Sequence, residues 1–406
     1  MSAPFSKVDY VPVSGALASY AAGFIQSLTD SGYTALSSVV QLRLMAHVSR
    51  WLEAERLTVG DFNAERVDEF LLVRREAGYS GLRTNVAMVP LLRFLRASGA
   101  APAPAAVVAS SPVEVLLASF RRYLLSERSL AASTAAAYVA KAERFLMGSV
   151  TDGDVSGLTA ADVTRAVLDE SVTRQVGSVQ YFVVAVRAFL KFCSLEGLVD
   201  VDLSAAAPSI TGRRSQVLPR GITHEDASAL LASCDRTKTI GRRDHAVLLI
   251  LLRLGLRAGE VARLRLDDID WRAGQIVVRG KGDRHESLPL PAEVGESLAD
   301  YVQNSRPDTV LREVFLTVCA PLVALKRSSV SLIVGRACTH AGVTPMGAHR
   351  LRHALACDLV AAGASLPEVG QILRHRNLSS TSIYAKVALV QLRDLALPWP
   401  ADGESL

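Results

Sequence analysis

The segment AHRLRHALACDL, residues 348–359, carries the most informative pattern in the chain. Its leucines recur every four residues, which predicts one apolar stripe along an α-helix. His349, Arg352 and His353 stand at positions i, i+3 and i+4, so they share one face of that helix. Two imidazoles beside a guanidinium suit neither a core nor an ordinary solvent face. We interpret them as a binding site for an anion.

The composition predicts a helical protein with more than one domain. The chain has 406 residues, which exceeds what one ordinary hydrophobic core organises, so about two or three domains are expected. Half of the residues are hydrophobic, whereas only 6% are aromatic. This Ala-, Leu- and Val-rich balance favours helices that pack on helices.

The basic charge is concentrated in the C-terminal half. The formal net charge is +5, and residues 207–406 hold 26 Lys and Arg against 20 Asp and Glu. Arginine supplies nearly all of this excess, and its planar fork binds phosphate in a bidentate manner. The pattern favours a polyanionic partner, although a GC-rich genome that encodes Arg in place of Lys explains the charge equally well.

Cysteine usage and hydropathy predict a cytoplasmic, soluble protein. The five cysteines are scattered without metal-type spacing, which is typical of buried thiols in a reducing compartment. The N-terminus has no basic segment followed by an apolar run, so we expect no signal peptide. The most apolar stretch, residues 246–252, ends at Arg253 and is too short to span a membrane.

Two linkers divide the chain into three segments. Residues 99–112 are rich in Ala and Pro and carry no charge, and residues 204–221 are rich in Pro, Gly, Ser and Arg. We therefore predict domains at residues 1–98, 113–203 and 222–400.

The first two segments resemble each other. LTVGDF (57–62) matches LTAADV (158–163), and LRFLRASG (92–99) matches LKFCSLEG (190–197). Two shorter stretches match as well: Phe24 to Leu28 matches Phe120 to Leu124, and Trp51-Leu52 matches Phe145-Leu146. The offsets of the four matches lie between 94 and 101. Neither copy shows the alternation of a strand. We predict two copies of one small helical domain, the alternative being chance similarity between Ala- and Leu-rich helices.

The third segment mixes helices with one hairpin. Residues 274–290, GQIVVRGKGDRHESLPL, contain two alternating runs around a glycine-rich turn. Thr223 and Ser365 are predicted to cap helices, an apolar helix is expected around residues 244–256, and residues 379–382 offer caps for a last helix with Tyr384. DDID, residues 267–270, is predicted to be a turn with solvated carboxylates rather than a metal site.

Six polar residues stand in otherwise apolar surroundings in this segment. They are Arg257, Lys281, His349, Arg352, His375 and Tyr384. Taken singly, each has a structural explanation: Arg257 can cap a helix, Lys281 fits an ordinary hairpin turn, and Tyr384 can be a buried aromatic. Taken together and in this order, they favour a catalytic set.

Four motifs contain this set: GLRAGE (255–260), RGKGDRHESLPL (279–290), AHRLRH (348–353) and ILRHRNLSSTSIY (372–384). In order and spacing they resemble the catalytic domain of the tyrosine recombinase (phage integrase) family over about 180 residues. The resemblance implies a mainly α fold, with two small helical bundle domains followed by an α+β catalytic domain that contains a small antiparallel sheet. Segment 113–203 resembles the family's core-binding domain. The preceding copy and the C-terminal tail resemble the larger recombinases of insertion elements that encode three recombinases.

The chemistry follows from these residue types. Arg257 and Arg352 can hold the non-bridging oxygens of a phosphodiester, and His349 can take a proton from an attacking hydroxyl. Tyr384 is the one residue of the set that can form a covalent oxygen-linked intermediate. The resemblance implies a 3′-phosphotyrosyl enzyme, with Lys281 as general acid for the 5′-oxygen. His375 adds a hydrogen bond.

Further residues are expected to support this set. Glu260 is predicted to orient an arginine or a histidine, and His353 to be a packed, hydrogen-bonded support. We expect Arg213, Arg214 and Arg220 in the basic linker to contact DNA. The family usually has glycine where this chain has Arg374, so this cation is predicted to point outward or to touch DNA.

The resemblance implies reaction on double-stranded DNA with no metal and no nucleotide cofactor. The predicted function is strand exchange for integration, excision or transposition of a mobile element. The expected assembly is a homo-oligomer (a tetramer on DNA), with or without sister recombinases. The expected location is the cytoplasm, at the nucleoid. Two alternatives stay open: a catalytically silent DNA-binding partner of the same fold, and an enzyme resembling type IB topoisomerases. The apolar tail after Tyr384 can dock in its own subunit or in a neighbour.

Overall fold

The computed structural model describes residues 11–103, 111–150, 154–211, 221–280 and 284–374, together with Thr381 and Tyr384. The described part of the first bundle contains four α-helices. They are α1 (Ala21–Asp30), α2 (Ala35–Ala54), α3 (Ala64–Glu76) and α4 (Asn85–Ala97). Its core is formed by aliphatic and aromatic side chains on the inner faces of these helices, among them Phe24, Leu42 and Leu91.

The second bundle repeats this arrangement. Its helices are α5 (Pro112–Ser126), α6 (Ala132–Ser149), α7 (Ala160–Thr173) and α8 (Val176–Leu195). Phe120 and Phe24, which the sequence comparison matched, are both fully buried in their own cores. Thr58 and Thr159 are matched as well, and each forms a capping box with the acid three residues later. Matched residues therefore have the same structural role in the two bundles.

Helix α8 is the one described helix that is long and apolar enough to cross a membrane by length and composition alone. Half of its apolar stretch is buried inside the second bundle, where Phe182, Val186 and Phe189 are core residues. Burial of this kind is typical of the central helix of a helical bundle.

The C-terminal domain surrounds the apolar helix α10. Its helices are α9 (His224–Ala232), α10 (Thr239–Arg253), α11 (Ala258–Arg263), α12 (Ala292–Asn304), α13 (Arg327–Ala341), α14 (Ala348–Ala361) and α15 (Leu366–Ile372). Helix α10 packs against α12, α13 and α14, and its residues from Ala246 to Leu252 are buried. This packing explains why the chain's most apolar stretch lies there.

A small antiparallel sheet lies between α11 and α12. Its strands β1 (Ile269–Asp270), β2 (Gln275–Arg279) and β3 (His285–Pro289) are arranged in that order. The register pairs Arg279 with His285 and Gln275 with Pro289. The predicted hairpin and the predicted fold class are therefore confirmed. The tip of the hairpin, which contains Lys281, lies outside the described residues.

Two of the predicted helix caps are confirmed. The side chain of Thr223 accepts a hydrogen bond from the backbone N–H of Asp226 at 3.0 Å. Ser365 and Glu368 form the expected capping box at the start of α15. The caps predicted at residues 379–382 lie outside the described residues.

The prediction that DDID is a solvated turn is wrong for one of its carboxylates. Asp267 is exposed, but Asp268 is 4% exposed and accepts a hydrogen bond from the backbone N–H of Arg265. Its Oδ1 also accepts from Arg279 of β2 at 2.7 Å. Asp268 is buried because it caps a short turn and neutralises a cation of the neighbouring strand, which is a structural function.

By contact, the first bundle and the C-terminal domain group into one compact unit, and the second bundle forms another. Within the first of these units, the backbone N–H of Leu322 donates to the carbonyl of Ser31 at 2.9 Å. Ser31 follows α1, and Leu322 lies in the loop before α13.

Candidate active site

A cleft of about 760 Å³ opens between α11, the β2–β3 hairpin, α13 and α14. Five of the residues singled out in the sequence line it. They are Arg257, Glu260, His349, Arg352 and Arg374. Residues separated by more than a hundred positions in the chain therefore meet at one surface.

Arg257 stands at the start of α11, where the chain turns out of α10. Gly255 has a φ of +56°, and a Cβ atom there would lie 2.9 Å from Leu355, so this turn requires glycine. The Arg257 guanidinium is half-exposed towards the cleft and donates to Glu260 Oε1 at 2.7 Å. The backbone N–H of Arg257 donates to the other Glu260 oxygen at 2.8 Å. Glu260 thus holds Arg257 at both ends.

Arg352 forms the floor of the cleft. Its side chain is 1% exposed and donates to the backbone carbonyls of Gly255 and Leu373. Burial, together with the charges of Arg257 and Arg374, lowers the pKa of Arg352 to about 10. The guanidinium therefore stays protonated at neutral pH. The two carbonyl groups hold it in position but, being uncharged, do not neutralise its positive charge.

The two histidines of α14 pack against each other edge-to-face. Their ring centroids are 4.3 Å apart, at an interplanar angle of 70°. Burial lowers the pKa of His349, and the charges of Arg352, Arg257 and Arg327 add to this effect. Burial also lowers the pKa of His353 to about 4, with contributions from His349 and Arg352. Both imidazoles are therefore neutral at physiological pH, which is the state in which a histidine accepts a proton.

Tyr384 lies behind the cleft and does not line it. The residue is 1% exposed and packs among Ala356, Val360, Val369 and Leu373. A hydrogen bond of 2.5 Å joins its hydroxyl to Nδ1 of His353. Burial raises the pKa of Tyr384 to about 12, against the opposing attraction of Arg352. The phenol is thus protonated and enclosed in this conformation.

The position of Arg374 excludes one of the two alternatives predicted from the sequence. The residue was expected to point outward or to touch DNA, and it does not point outward, because its side chain is only 6% exposed and donates to Glu260 Oε2 at 2.8 Å. Its φ of +54° falls in the left-handed region that favours glycine. The ion pair with Glu260, itself 5% exposed, turns the side chain inward and compensates for the backbone strain.

The remaining predicted residues and some unpredicted ones complete the description. Lys281, His375, Arg213, Arg214 and Arg220 lie outside the described residues. The cleft is also lined by Arg263, Arg284, Glu286 and Arg327, which the sequence reasoning did not single out. Arg327 is the first residue of α13, where the helix dipole disfavours a cation. This unfavourable position is the feature of the sequence that could have identified Arg327 as a functional residue. Among the described residues, no cluster of three His, Cys, Asp or Glu residues suits a metal ion.

Glu260 is expected to stabilise the domain because it neutralises two cations from inside the protein. Burial opposes its ionisation, but the attraction of Arg374 and the hydrogen bonds from Arg257 outweigh it and lower the pKa of the carboxyl. We expect Glu260→Gln to reduce the free energy of unfolding by about 3–5 kcal/mol, since it leaves the buried Arg374 with only the longer ion pair to the half-exposed Glu286, at 3.7 Å. The stabilisation should be present above the unfolded carboxyl pKa of about 4.3 and be lost as pH falls through the lower folded value.

Denaturant unfolding measures this effect. Glu293→Gln is the matched control, because Glu293 pairs with Arg253 on the surface of the same domain and should contribute at most about 1 kcal/mol. The double variant Glu260→Gln, Arg374→Gly should be more stable than Glu260→Gln alone, since it removes both the stranded charge and the left-handed strain. A double variant no more stable than the single one would show that Arg374 is not the stranded charge.

Three comparisons with known proteins bear on this site. The sequence profile of the phage integrase family matches residues 220–389, which contain the cleft. The chain is 39% identical over 399 residues to the putative integrase/recombinase y4rA of Sinorhizobium fredii, covering 97% of each chain. It is 31% identical over 295 residues to the tyrosine recombinase XerD of Listeria monocytogenes, covering 69% of this chain and 96% of that protein.

Solved structures share the fold. The post-cleavage complex of the site-specific recombinase XerH with palindromic difH substrate matches with a TM-score of 0.56 at 17% identity. The match covers 81% of this chain and 93% of XerH.

Proposed function

The chain belongs to the phage integrase family and is a tyrosine-type site-specific recombinase, and we propose that Tyr384 is the nucleophile with which it cleaves and rejoins DNA strands. One observation carries this proposal. Two guanidiniums and a neutral imidazole, from Arg257, Arg352 and His349, line one cleft, and the charge of Arg352 also acts on the phenol of Tyr384.

The cleft residues suit the charge that develops on a phosphodiester under attack. Arg257 and Arg352 contact the non-bridging oxygens, and preorganised donors of this kind contribute about 10²–10³ in rate each. Arg374 supports the same role, because its Nη1 has no hydrogen-bond partner among the described residues and the residue lines the cleft. In this proposal its contact with DNA is made from inside the cleft.

The proton transfers balance with residues of this chain. The Tyr384 oxygen attacks phosphorus and gives its proton to the neutral His349, while the bond to the 5′-oxygen breaks. Lys281 protonates this leaving oxygen. Gly280 and Arg284 flank the hairpin tip and line the cleft, which supports a position for Lys281 beside the phosphate. His375 donates a further hydrogen bond. The reverse attack by a 5′-hydroxyl of another strand rejoins the DNA, so the covalent bond conserves the energy and no metal or nucleotide is required.

The enclosed phenol defines a resting state in this proposal. Tyr384 is hydrogen-bonded to His353 and is 1% exposed, whereas attack requires an oxygen at the phosphate. DNA binding therefore has to release the tyrosine from its pocket. The same burial is the observation that favours the second candidate function, a catalytically silent DNA-binding partner of the same fold.

We assign further roles along the chain. Residues 113–203 form the core-binding domain, residues 222–400 the catalytic domain, and the linker 204–221 contacts DNA through Arg213, Arg214 and Arg220. Recombination of two duplexes breaks four strands with one tyrosine per subunit, which supports a tetramer on DNA for integration, excision or transposition of a mobile element. Sister recombinases supply some of these subunits in elements that encode three. We also propose that the protein is soluble and cytoplasmic and that it lies at the nucleoid when bound to DNA, which its membership in a DNA-acting recombinase family supports.

A nicked DNA substrate tests the proposal. On a duplex that carries the recombination site with a nick next to the cleavage position, the short 5′-hydroxyl product diffuses away and the enzyme is trapped. We expect a covalent protein–DNA adduct that forms equally well in EDTA without nucleotide, with the DNA attached to the peptide containing Tyr384. Specific binding without an adduct would favour the silent partner. Relaxation of supercoiled DNA by monomers would favour the resemblance to type IB topoisomerases.

A further inference from the structure

The first bundle carries a group of arginines around a histidine that the cleavage chemistry does not use. Arg43, His47 and Arg50 stand at positions i, i+4 and i+7 of α2 and therefore share one face of the helix. Arg43 and Arg50 are exposed. Arg50 Nη2 lies 3.1 Å from Nδ1 of His47, so the two side chains form one polar surface.

An aromatic ring joins a further cation to this surface. The ring of Tyr79 meets that of His47 edge-on, with centroids 5.1 Å apart, and is 39% exposed. The Arg74 guanidinium lies 4.1 Å from the centre of the Tyr79 ring and donates to the carbonyl of Gly81. We call Arg43, His47, Arg50, Arg74 and Tyr79 the α2 cation cluster.

No described carboxylate neutralises this cluster. Arg43, Arg50 and Arg74 form no ion pair with any described acid, and the only acid that pairs in the neighbouring part of α3, Glu69, binds Arg66 at 2.7 Å. Burial lowers the pKa of His47, and the charges of Arg74 and Arg50 lower it further, with no acid opposing them. Unbalanced positive charge of this kind is stabilised by an external anion.

The second bundle offers an internal comparison. Arg50 precedes Trp51 as Arg144 precedes the matched Phe145, and Arg144 donates to both oxygens of Glu170 at 2.8 and 3.0 Å. Glu170 and Glu69 both stand twelve residues after the matched leucines of LTAADV and LTVGDF. In the first bundle Glu69 pairs with Arg66, so Arg50 has no carboxylate partner among the described residues. The two copies therefore differ in ion pairing at the same structural position, since the matched arginine is paired with a described acid in the second bundle and with none in the first.

We propose that the α2 cation cluster binds the phosphate backbone of duplex DNA, so that the first bundle is a second DNA-contacting module outside the cleavage site. Arg43 and Arg50 are about 10 Å apart along the helix, which corresponds to about three phosphates of one strand. The planar guanidinium groups of Arg43 and Arg50 match the geometry of phosphate oxygens. Arg74 packs on Tyr79, Tyr79 packs on His47, and His47 contacts Arg50, so these contacts position the Arg50 side chain. This inference rests on the proposed action on DNA. An acidic segment of a partner protein is the competing occupant.

The test uses the full chain with Arg43→Gln and Arg50→Gln together, and measures its affinity for mixed-sequence duplex DNA at several salt concentrations. Each lost phosphate contact lowers the slope of log affinity against log salt by about 0.9, so we expect a slope smaller by about 1.8. Arg93→Gln with Arg96→Gln removes two charges from α4 of the same bundle and should leave the slope unchanged. Arg43→Lys with Arg50→Lys should also keep it, because the charges are retained.

A slope equal to that of the wild type in the α2 variant overturns the proposal. An unchanged slope with weaker self-association in sedimentation would assign the cluster to a protein contact instead. Adduct formation on a short nicked duplex at saturating DNA should be the same in all variants. If even the wild-type protein forms no adduct, the proposed strand cleavage fails, but the comparison of slopes still decides whether the cluster contacts DNA.

Discussion

Replacing Tyr384 with phenylalanine is expected to abolish covalent attachment to DNA while leaving DNA affinity within about twofold of the wild-type value. Phenylalanine keeps the ring that packs among Ala356, Val360, Val369 and Leu373. It loses only the hydroxyl, and with it the hydrogen bond to His353, which contributes about 1 kcal/mol to stability. No tyrosine is among the described residues that line the cleft, so no slower route to a phosphotyrosyl bond is left. The measurement is the yield of adduct on a nicked duplex, beside a mobility-shift titration of the same DNA.

Tyr301→Phe is the matched control. Tyr301 is equally buried in the same domain, and its hydroxyl also makes one hydrogen bond, with the backbone N–H of Leu316 at 3.4 Å. This variant should lose a similar amount of stability and retain full adduct formation. A Tyr384→Phe protein that still forms an adduct would assign the nucleophile to another residue, and peptide mapping of that adduct would identify it.

Much of this architecture could be predicted from local pattern. The hairpin, the caps at Thr223 and Ser365 and the helices of the two bundles depend on residues close together in the chain, so periodicity and turn chemistry were sufficient to predict them. The convergence of Arg257, His349 and Arg352 on one cleft could be predicted only from motif order, because no local rule brings α11 next to α14.

The errors arose where a partner is distant in sequence. Arg374 was expected to point outward or to touch DNA, and the outward alternative is wrong because Glu260, which is 114 residues earlier, binds it inside the protein. Asp268 was predicted to be solvated, but Arg279 of the neighbouring strand neutralises it. Both acids are buried because a particular cation faces them. A single sequence contains no signal for such pairing of charges across elements.

The enclosure of the phenol was also invisible in the sequence. His353 was predicted to be a hydrogen-bonded support, but nothing in the motif indicated that Tyr384 itself is its partner, 31 residues away. The bond depends on the packing of α14 against α15, because Val369 of α15 and Leu373, the residue that follows α15, pack against the ring. It shows that the supporting His353 and the proposed nucleophile Tyr384 interact directly before any DNA is present.

Arg257→Ala is expected to slow strand cleavage by about 10²–10³ at saturating DNA, which is about 2.7–4 kcal/mol of transition-state stabilisation. The guanidinium is half-exposed and faces the cleft, so its loss removes a contact to the phosphate without opening the core. Glu260 keeps its ion pair with Arg374, and the domain should therefore stay folded. Single-turnover rates of adduct formation on the nicked duplex measure this effect separately from affinity.

Arg263→Ala distinguishes a catalytic arginine from a merely basic wall of the cleft. Arg263 belongs to the same helix and lines the same cleft, and its Nη2 is 3.4 Å from the carbonyl of Arg279. Glu260 does not hold Arg263 next to Arg352. Loss of the Arg263 side chain should therefore weaken DNA binding and leave the rate of strand cleavage at saturating DNA within about threefold of the wild-type rate. Equal losses of rate in the two variants would mean that the cleft acts through its total charge. A loss confined to Arg257→Ala would mean that one guanidinium, held at both ends by Glu260, stabilises the phosphate during the reaction.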